Sequence, residues 1–417
     1  MATGRPGHMQ PGTNNPGSAV PAGRPGPGGF PCQSQSFSHH CYGPAQIRAA
    51  YQIQPLLDQG TTGAGETIVI VDAFQNPTMG SDLQSFDNYF GLPAPPRFRT
   101  VAPFGLTPFD PNNSDQVAWS GEIALDVEWA HAVAPGANIV LALSPSNADA
   151  DMVATEAWAI DSGAGDVISM SYGDLEACMS ADVQARQHQL FAKATSRGIT
   201  LVAATGDWGP SWFTCDGKSL VKGIGTPASD PYVTAVGGTQ LTADLVTGQY
   251  KNEVSWDEAD AGAGGGGYST LYPAPDYQRQ LPGAQGARAI PDVAYDAAFD
   301  GGVLVAWGSS GFPPDPVWNI YWIFFGTSSG APQWSGLTVL ADQLRGSRIG
   351  QLNPALYSIG SAYPNYAADF HDITKGNNNW AGISGYGASA GWDPVTGLGS
   401  PIANGLIPDL ARFATSP

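Results

Sequence analysis

Phe325-Gly326-Thr327-Ser328-Ser329-Gly330-Ala331-Pro332 is the stretch on which the fold turns. Before it, Ile320-Tyr321-Trp322-Ile323-Phe324 is apolar and aromatic, as in a strand. After it, Pro332 suits a first helical turn, and Trp334, Leu337, Ala341 and Leu344 recur at helical spacing. Ser328 therefore stands in a glycine-flanked turn at a helix N-terminus. There a substrate backbone can come close, and unpaired N–H groups face any developing negative charge. The plain alternative is a Gly-Thr-Ser helix cap, which needs no chemistry. The rest of the chain must decide.

The 417 residues carry 36 acids against 17 bases, a formal net charge of −19. That balance argues against nucleic acid or an anionic membrane surface as partner. No apolar run approaches the ~20 residues of a membrane span. The first residues lack the apolar core of a signal peptide, as in a mature or trimmed chain or one whose start is missing. Four cysteines fall in two close groups, Cys32 with Cys41 and Cys178 with Cys215. Neither has C-x-x-C spacing, so two disulfides of an exported protein are favoured over four free thiols.

Residues 1–43 are rich in Gly and Pro with little to bury, and read as a disordered leader ahead of a single domain over 44–417. Glu66-Thr67-Ile68-Val69-Ile70-Val71-Asp72 is a buried-strand run ending in an acid. Residues 121–134 read as a helix with Ser120 as its N-cap and Pro135 as its stop. On that helix Glu122 and Asp126, four apart, share one face, where like charges repel. Their neighbours Ile123, Leu125, Val127 and Trp129 are apolar, so the pair sits on a helix of buried type, where acids are costly unless they share a proton or have work to do. A solvated acidic face is the alternative. Further along, strand runs at 139–143, 167–171, 199–204 and 232–236 alternate with helices near 149–161 and 181–196, which implies a parallel sheet covered on both faces. Asp207 follows the 199–204 strand as Asp72 ends its own, at the strand ends where α/β folds place their chemistry.

Gly326-Thr327-Ser328 with Ala331-Pro332, Gly121-Glu122-x-x-Leu125-Asp126, Ala204-Thr205-Gly206-Asp207 and Pro227-Ala228-Ser229-Asp230-Pro231 running on to Gly237-Gly238-Thr239 resemble the sedolisin family of serine-carboxyl peptidases, near its kumamolisin-like branch. So do Pro291-Asp292-Val293 and Gly391-Trp392-Asp393-Pro394 through Pro401. The resemblance runs from about Pro44 to the C-terminus, without the family's large prosegment. It implies a subtilisin-like α/β fold: a parallel β-sheet flanked by helices on both faces. It makes Ser328 the nucleophile, Glu122 its general base, Asp126 the partner of Glu122 and Asp207 the oxyanion donor. The substrate-binding sheet edge falls at Ser171 and Gly173. Behind the acid pair stand Asp72, where the family commonly has Glu, and Tyr172, where it commonly has Trp. Acid chemistry fits this division, because at pH 3 to 4 a histidine, of reference pKa about 6.5, is already protonated while a carboxyl group of about 4 can still take a proton.

The same resemblance implies one structural Ca²⁺, held by side-chain oxygens of Asp372 and Asp393 and main-chain carbonyls of Ile373, Ser389 and Gly391. The loop between them is rich in Gly and Asn and offers hard oxygen donors, which suit Ca²⁺ rather than Zn²⁺. The expected protein is a secreted, monomeric, acid-active endopeptidase acting on proteins or peptides. Two rivals are kept. One is an α/β-hydrolase esterase, since Gly326-x-Ser328-x-Gly330 fits a nucleophile elbow with His371 downstream. The other is an inactive calcium-binding relative.

Overall fold

The computed structural model describes residues 10–11, 19–26, 28–279, 281, 286–311, 320–361 and 366–413. At its centre lies an eight-stranded sheet. Its strands are β1 (Thr67–Ala73), β2 (Phe98–Val101), β3 (Asn138–Ser144), β4 (Val167–Met170), β5 (Thr200–Ala204), β6 (Thr234–Ala243), β7 (Tyr250–Ser255) and β8 (Val293–Asp296). The order is β2-β3-β1-β4-β5-β6-β7, with β8 also beside β6. Every pairing is parallel except that of β6 with β7.

β1 shows why the middle of this sheet is buried on both sides. In Thr67-Ile68-Val69-Ile70-Val71, Ile68 and Ile70 join one core, while Val69 and Val71 join the other. Alternate residues of a strand face opposite ways, so a continuous apolar run fits only a doubly covered strand. Helices α1 (Ser114–Val133) and α4 (Gly330–Arg345) supply Ile123, Trp129, Trp334 and Leu337 to the first core. Helices α2 (Asp149–Asp161) and α3 (Ala181–Ser196) supply Met152, Ile160 and Phe191 to the second.

The structure bears out the strand expected before Ser328 and departs from the sequence expectation at the start of one helix and in the leader. Helix α1 begins at Ser114 rather than 121, because Asn113 is its cap and accepts hydrogen bonds from the N–H groups of Asp115 and Gln116 at 3.0 and 3.3 Å. Ser120 lies inside the helix, its hydroxyl donating back to the Val117 carbonyl. The strand before Ser328, β10 (Tyr321–Phe324), belongs to a separate four-stranded sheet, where it pairs with β9 (Gly302–Ala306). Lastly, part of the expected leader is built into the domain. Residues 19–21 pair with β10, Phe30 is buried against Tyr89 and Tyr321, and a Cys32–Cys41 disulfide closes the following turn. One aromatic side chain and one cross-link anchor a segment whose composition suggests none. Residues 1–9, 12–18 and 27 of that leader lie outside the described residues. Among the described residues no helix is long and apolar enough to cross a membrane.

Phe30→Ala should lower stability by about 3–5 kcal/mol, the usual cost of emptying a buried aromatic site. Urea unfolding measures this, and an unchanged midpoint would show that residues 19–43 do not belong to the folded unit.

Candidate active site

The carboxyl ends of β1, β4 and β5 meet near the N-terminus of α4. Asp72 lies at the end of β1, Ser171 follows β4 and Asp207 follows β5. The strand order reverses beside β1, the crevice where open α/β sheets bind their ligands. The turn Thr327–Ser329 leads into α4 and packs against α1, the helix carrying Glu122 and Asp126. Just before that turn, the Phe324 ring packs on α1 at Gly121, where a methyl group would stand 3.1 Å from it.

All five candidate side chains, Ser328, Glu122, Asp126, Asp207 and Asp72, are buried. The Ser328 hydroxyl lies 3.4 Å from the carbonyl oxygen of Ser171. The Ser171 hydroxyl donates to Asp126 Oδ1 at 2.8 Å. Asp207 is clasped by the residue before the serine: the Thr327 N–H and hydroxyl both donate to its Oδ1, at 2.8 and 3.0 Å. Thr327 Oγ1 in turn accepts from the N–H of Gly206 at 3.0 Å. Asp207 Oδ2 is buried and has no hydrogen-bond partner among the described residues. It abuts Gly326, whose φ of +121° suits glycine and where a Cβ would fall within 2.4 Å of that oxygen.

Burial pushes Asp72, Asp126 and Asp207 well above the usual carboxylate range. For Asp72 the charge of Glu122 adds to burial; for Asp126, Asp72 and then Glu122 add to it, and the Ser171 bond opposes it. For Asp207 the two Thr327 bonds oppose burial and Glu122 reinforces it. Burial is the largest cause in each case, so these three aspartates stay partly protonated where exposed acids ionise.

Tyr172 feels the charges of Asp72 and Asp126 but spends its hydroxyl elsewhere. Its hydroxyl donates to Glu156 Oε1 at 3.0 Å, and Gln187 donates to both oxygens of that acid. Asp72 accepts no hydrogen bond among the described residues, so no chain of bonds joins it to Tyr172. Gly173 lies in the strand Tyr172–Leu175, the middle of a three-stranded sheet, paired antiparallel with Gly225–Thr226. The same strand pairs antiparallel with Gln10–Pro11 of this chain, residue 10 opposite Gly173. His371 lies in a short strand, stacks on Tyr250 with ring centroids 3.7 Å apart, and makes no recorded interaction with Ser328. Thr327 is the residue that sequence reasoning passed over. Its signal was its place between Gly326 and Ser328.

In the C-terminal loop the Gly391 N–H donates to both oxygens of Asp372, at 3.0 and 3.2 Å. Asp393 is buried and accepts from the N–H groups of Ser389, Val395 and Thr396. Burial lifts it to about 6. None of the carbonyl oxygens of Ile373, Ser389 and Gly391 accepts a hydrogen bond from another described residue. Among the described residues no cluster of three or more His, Cys, Asp or Glu suited to a metal occurs, so a soft-donor site is not formed. Two carboxylates and free carbonyls in one loop remain compatible with a hard cation. Both expected pairs of cysteines are bonded, the second being Cys178–Cys215.

A parallel sheet of this order, with a serine at a helix start and buried acids at the strand ends, defines a subtilase-type hydrolase fold. The subtilase family model matches residues 111–369. Kumamolisin of Bacillus sp. (strain MN-32) is 33% identical over 413 residues, covering 93% of this chain and 67% of that protein. Sedolisin of Pseudomonas sp. (strain 101) is 31% identical over 81% of this chain and 57% of its own length, and rat tripeptidyl-peptidase 1 is 32% identical over 69% and 51%. The chain thus spans about half to two thirds of these relatives. A solved Pseudomonas sedolisin, a serine-carboxyl proteinase complexed with pseudo-iodotyrostatin, superposes with a TM-score of 0.76 at 27% identity, over 89% of this chain and 98% of that one. The chain belongs to the sedolisin family of serine-carboxyl peptidases, as its catalytic domain.

The raised acids fix how stability follows pH. A carboxyl group whose folded pKa is raised stabilises the fold fully below its unfolded value, and that stability is lost as pH rises through the folded value. Asp82 at about 6, and Glu156, Asp174 and Asp342 at about 7, all raised chiefly by burial, add to the site cluster. His371 acts oppositely at the acid end: burial lowers it to about 4, so its contribution is lost below that pH. The melting temperature should therefore be highest near pH 4–5 and fall by at least about 5 °C by pH 8. Calorimetry across that range checks it, and a maximum at pH 7–8 would contradict the buried-acid account.

Proposed function

We propose that this domain hydrolyses peptide bonds as an acid-active serine-carboxyl endopeptidase. The observation that carries the reading is the clasp of Thr327 on Asp207 beside Ser328. Both donors fall on Oδ1, leaving Oδ2 to hold a proton next to the nucleophile.

In this reading the Ser328 hydroxyl oxygen attacks the substrate carbonyl carbon and Glu122 accepts its proton. Asp126, held by the Ser171 hydroxyl, shares charge and protons with Glu122. The carbonyl oxygen becomes an oxyanion and takes a hydrogen bond from the protonated Asp207, as neutral carboxylic acids provide in other sites. Glu122 then returns its proton to the leaving amine, and water repeats the sequence in reverse to free the acyl-enzyme. Asp72, buried behind the pair, keeps the shared proton inside the cluster by repulsion. An extended substrate would lie on the Ser171–Gly173 edge by strand addition. The chain's own Gln10–Pro11 segment, paired there, supports such use of the edge. Two disulfides support an exported protein. The net charge of −19 argues against nucleic acid as partner, and a monomer is the simplest assembly.

Ser328→Ala should abolish turnover, and Glu122→Gln should lower kcat/KM by about 10²–10⁴-fold at pH 4, the usual worth of a general base. The pH profile should be a bell on the acid side of neutral, its limbs belonging to the coupled carboxyls. Asp207→Asn keeps a donor whose presence does not depend on pH, so its alkaline limb should move upward. Near-full activity of Glu122→Gln at pH 4 would rule out that residue as the base.

The C-terminal loop is proposed to bind one Ca²⁺ through Asp372, Asp393 and the carbonyls of Ile373, Ser389 and Gly391. Bound calcium would supply the positive charge that two carboxylates in one loop need, tying that loop to the domain. Chelation should lower the melting temperature at pH 6, and less so at pH 4 where the aspartates protonate. Equal melting with and without chelator, and no calcium on elemental analysis, would remove the site.

A further inference from the structure

Asp207 is followed by Trp208-Gly209-Pro210-Ser211-Trp212-Phe213, and the chain returns through Leu220–Lys222 to make a short antiparallel hairpin. The peptidase chemistry above leaves this hairpin unused. Its Trp212 nonetheless packs against Gly206, the chain neighbour of Asp207.

The position of the acyl half of a substrate follows from the site. Its carbonyl carbon must reach Ser328 Oγ, which lies against the Ser171 carbonyl. Its carbonyl oxygen must reach Asp207, whose chain neighbour Gly206 is tied to Thr327. The residue before the scissile bond is therefore flanked by Ser171–Gly173 on one side and Gly206 on the other. Its side chain must enter the gap between those two segments. The walls of that gap carry glycine at Gly173, Gly206 and Gly225, as in a pocket shaped for a side chain from outside.

The gap is filled from within. A methyl group on Gly206 would stand 2.7 Å from Trp212 Cζ2, one on Gly225 would lie closer still, and one on Gly173 would stand 3.1 Å from Cη2. The six-membered ring of one buried indole thus touches all three glycines. It is held there firmly. Trp212 pairs with Val221, meets Trp208 edge to face at 5.7 Å, and is three residues from Cys215, which bonds to Cys178 beyond the strand Tyr172–Leu175.

Resting on the peptidase reading, we propose that Trp212 is the floor of the pocket for the residue preceding the scissile bond, and restricts that residue to Gly, Ala or Ser. A Leu or Phe side chain has no room unless the indole leaves its place against the three glycines. Leaving would break the packing of the hairpin.

The test uses peptides differing only in the residue before the cleaved bond, with Ala, Leu or Phe there, and the wild-type domain, Trp212→Ala and Trp212→Leu at the pH of maximal activity. Wild type should cleave the Ala peptide with kcat/KM at least about tenfold above the Phe peptide, the scale set by steric exclusion from a closed pocket. Trp212→Ala should raise the Phe-to-Ala ratio by about 10–100-fold, with Trp212→Leu between. Should Trp212→Ala fail to fold, the wild-type series and Trp212→Leu still decide. Equal cleavage of all three peptides by wild type, or a ratio unchanged in an active variant, overturns the role of Trp212 and leaves the peptidase assignment standing. No cleavage of any peptide by wild type overturns both.

Discussion

Desolvation of carboxyl groups is the constraint on which this structure depends. Glu122 and Asp126 sit on one face of a helix whose other residues from Trp119 to Val133 are also buried, and Asp72 and Asp207 close on them from two strand ends. An isolated carboxylate cannot be taken out of water at tolerable cost, so such groups keep protons, find cations or find hydrogen bonds. Among the described residues the hydrogen bonds on the three aspartates are few: one hydroxyl on Asp126, the Thr327 clasp on Asp207 and none on the Asp72 carboxyl. Proton retention is the remaining solution. On the proposed mechanism, a serine hydrolase that works through retained protons needs no histidine base and is confined to the acid side of neutral.

That constraint orders the surroundings. The site has to lie where three strand ends and two helix segments converge, because only there can several short acids approach one serine while staying dry. Glycine at 121 and 326 admits the close contacts, with Phe324 in one case and Asp207 in the other. The same preference for neutral acids extends beyond the site to Glu156, Asp174 and Asp342, so the pH range that favours the fold is the one proposed for the chemistry. The aromatic hairpin after Asp207 is proposed to add a second property, the shape of the substrate gap.

Much of this was legible in the sequence, for physical reasons. Continuous apolar runs such as Ile68–Val71 can only be doubly covered strands, and acids on an apolar helix are too costly to be decoration. Helices α2 and α3 have the bounds their periodicity predicts, Asp149–Asp161 and Ala181–Ser196. What the sequence hid is long-range. The true cap of α1 is Asn113, since Ser120 is equally able to cap but lies inside the helix, its oxygen accepting from the Trp307 indole N–H and its hydroxyl donating to the Val117 carbonyl. Tyr321–Phe324 looks like any strand, and only its pairing with Gly302–Ala306 removes it from the central sheet. Phe30 anchors a Gly- and Pro-rich segment through ring contacts with Tyr89 and Tyr321 that no local pattern encodes. The turn of Tyr172 toward Glu156 is hidden in the same way, since the acid it meets lies 16 residues away on α2.

The most direct test of the central claim is to observe the proton on Asp207. Difference infrared spectroscopy of wild type against Asp207→Asn, in the protonated-carboxyl carbonyl region, reports that group alone. At pH 5.5, where an exposed aspartate with a reference pKa of about 3.9 is ionised, a protonated-carboxyl band assigned to Asp207 should be present and should vanish in the variant. A spectrum in which Asp207 contributes only a carboxylate band at that pH would contradict the account.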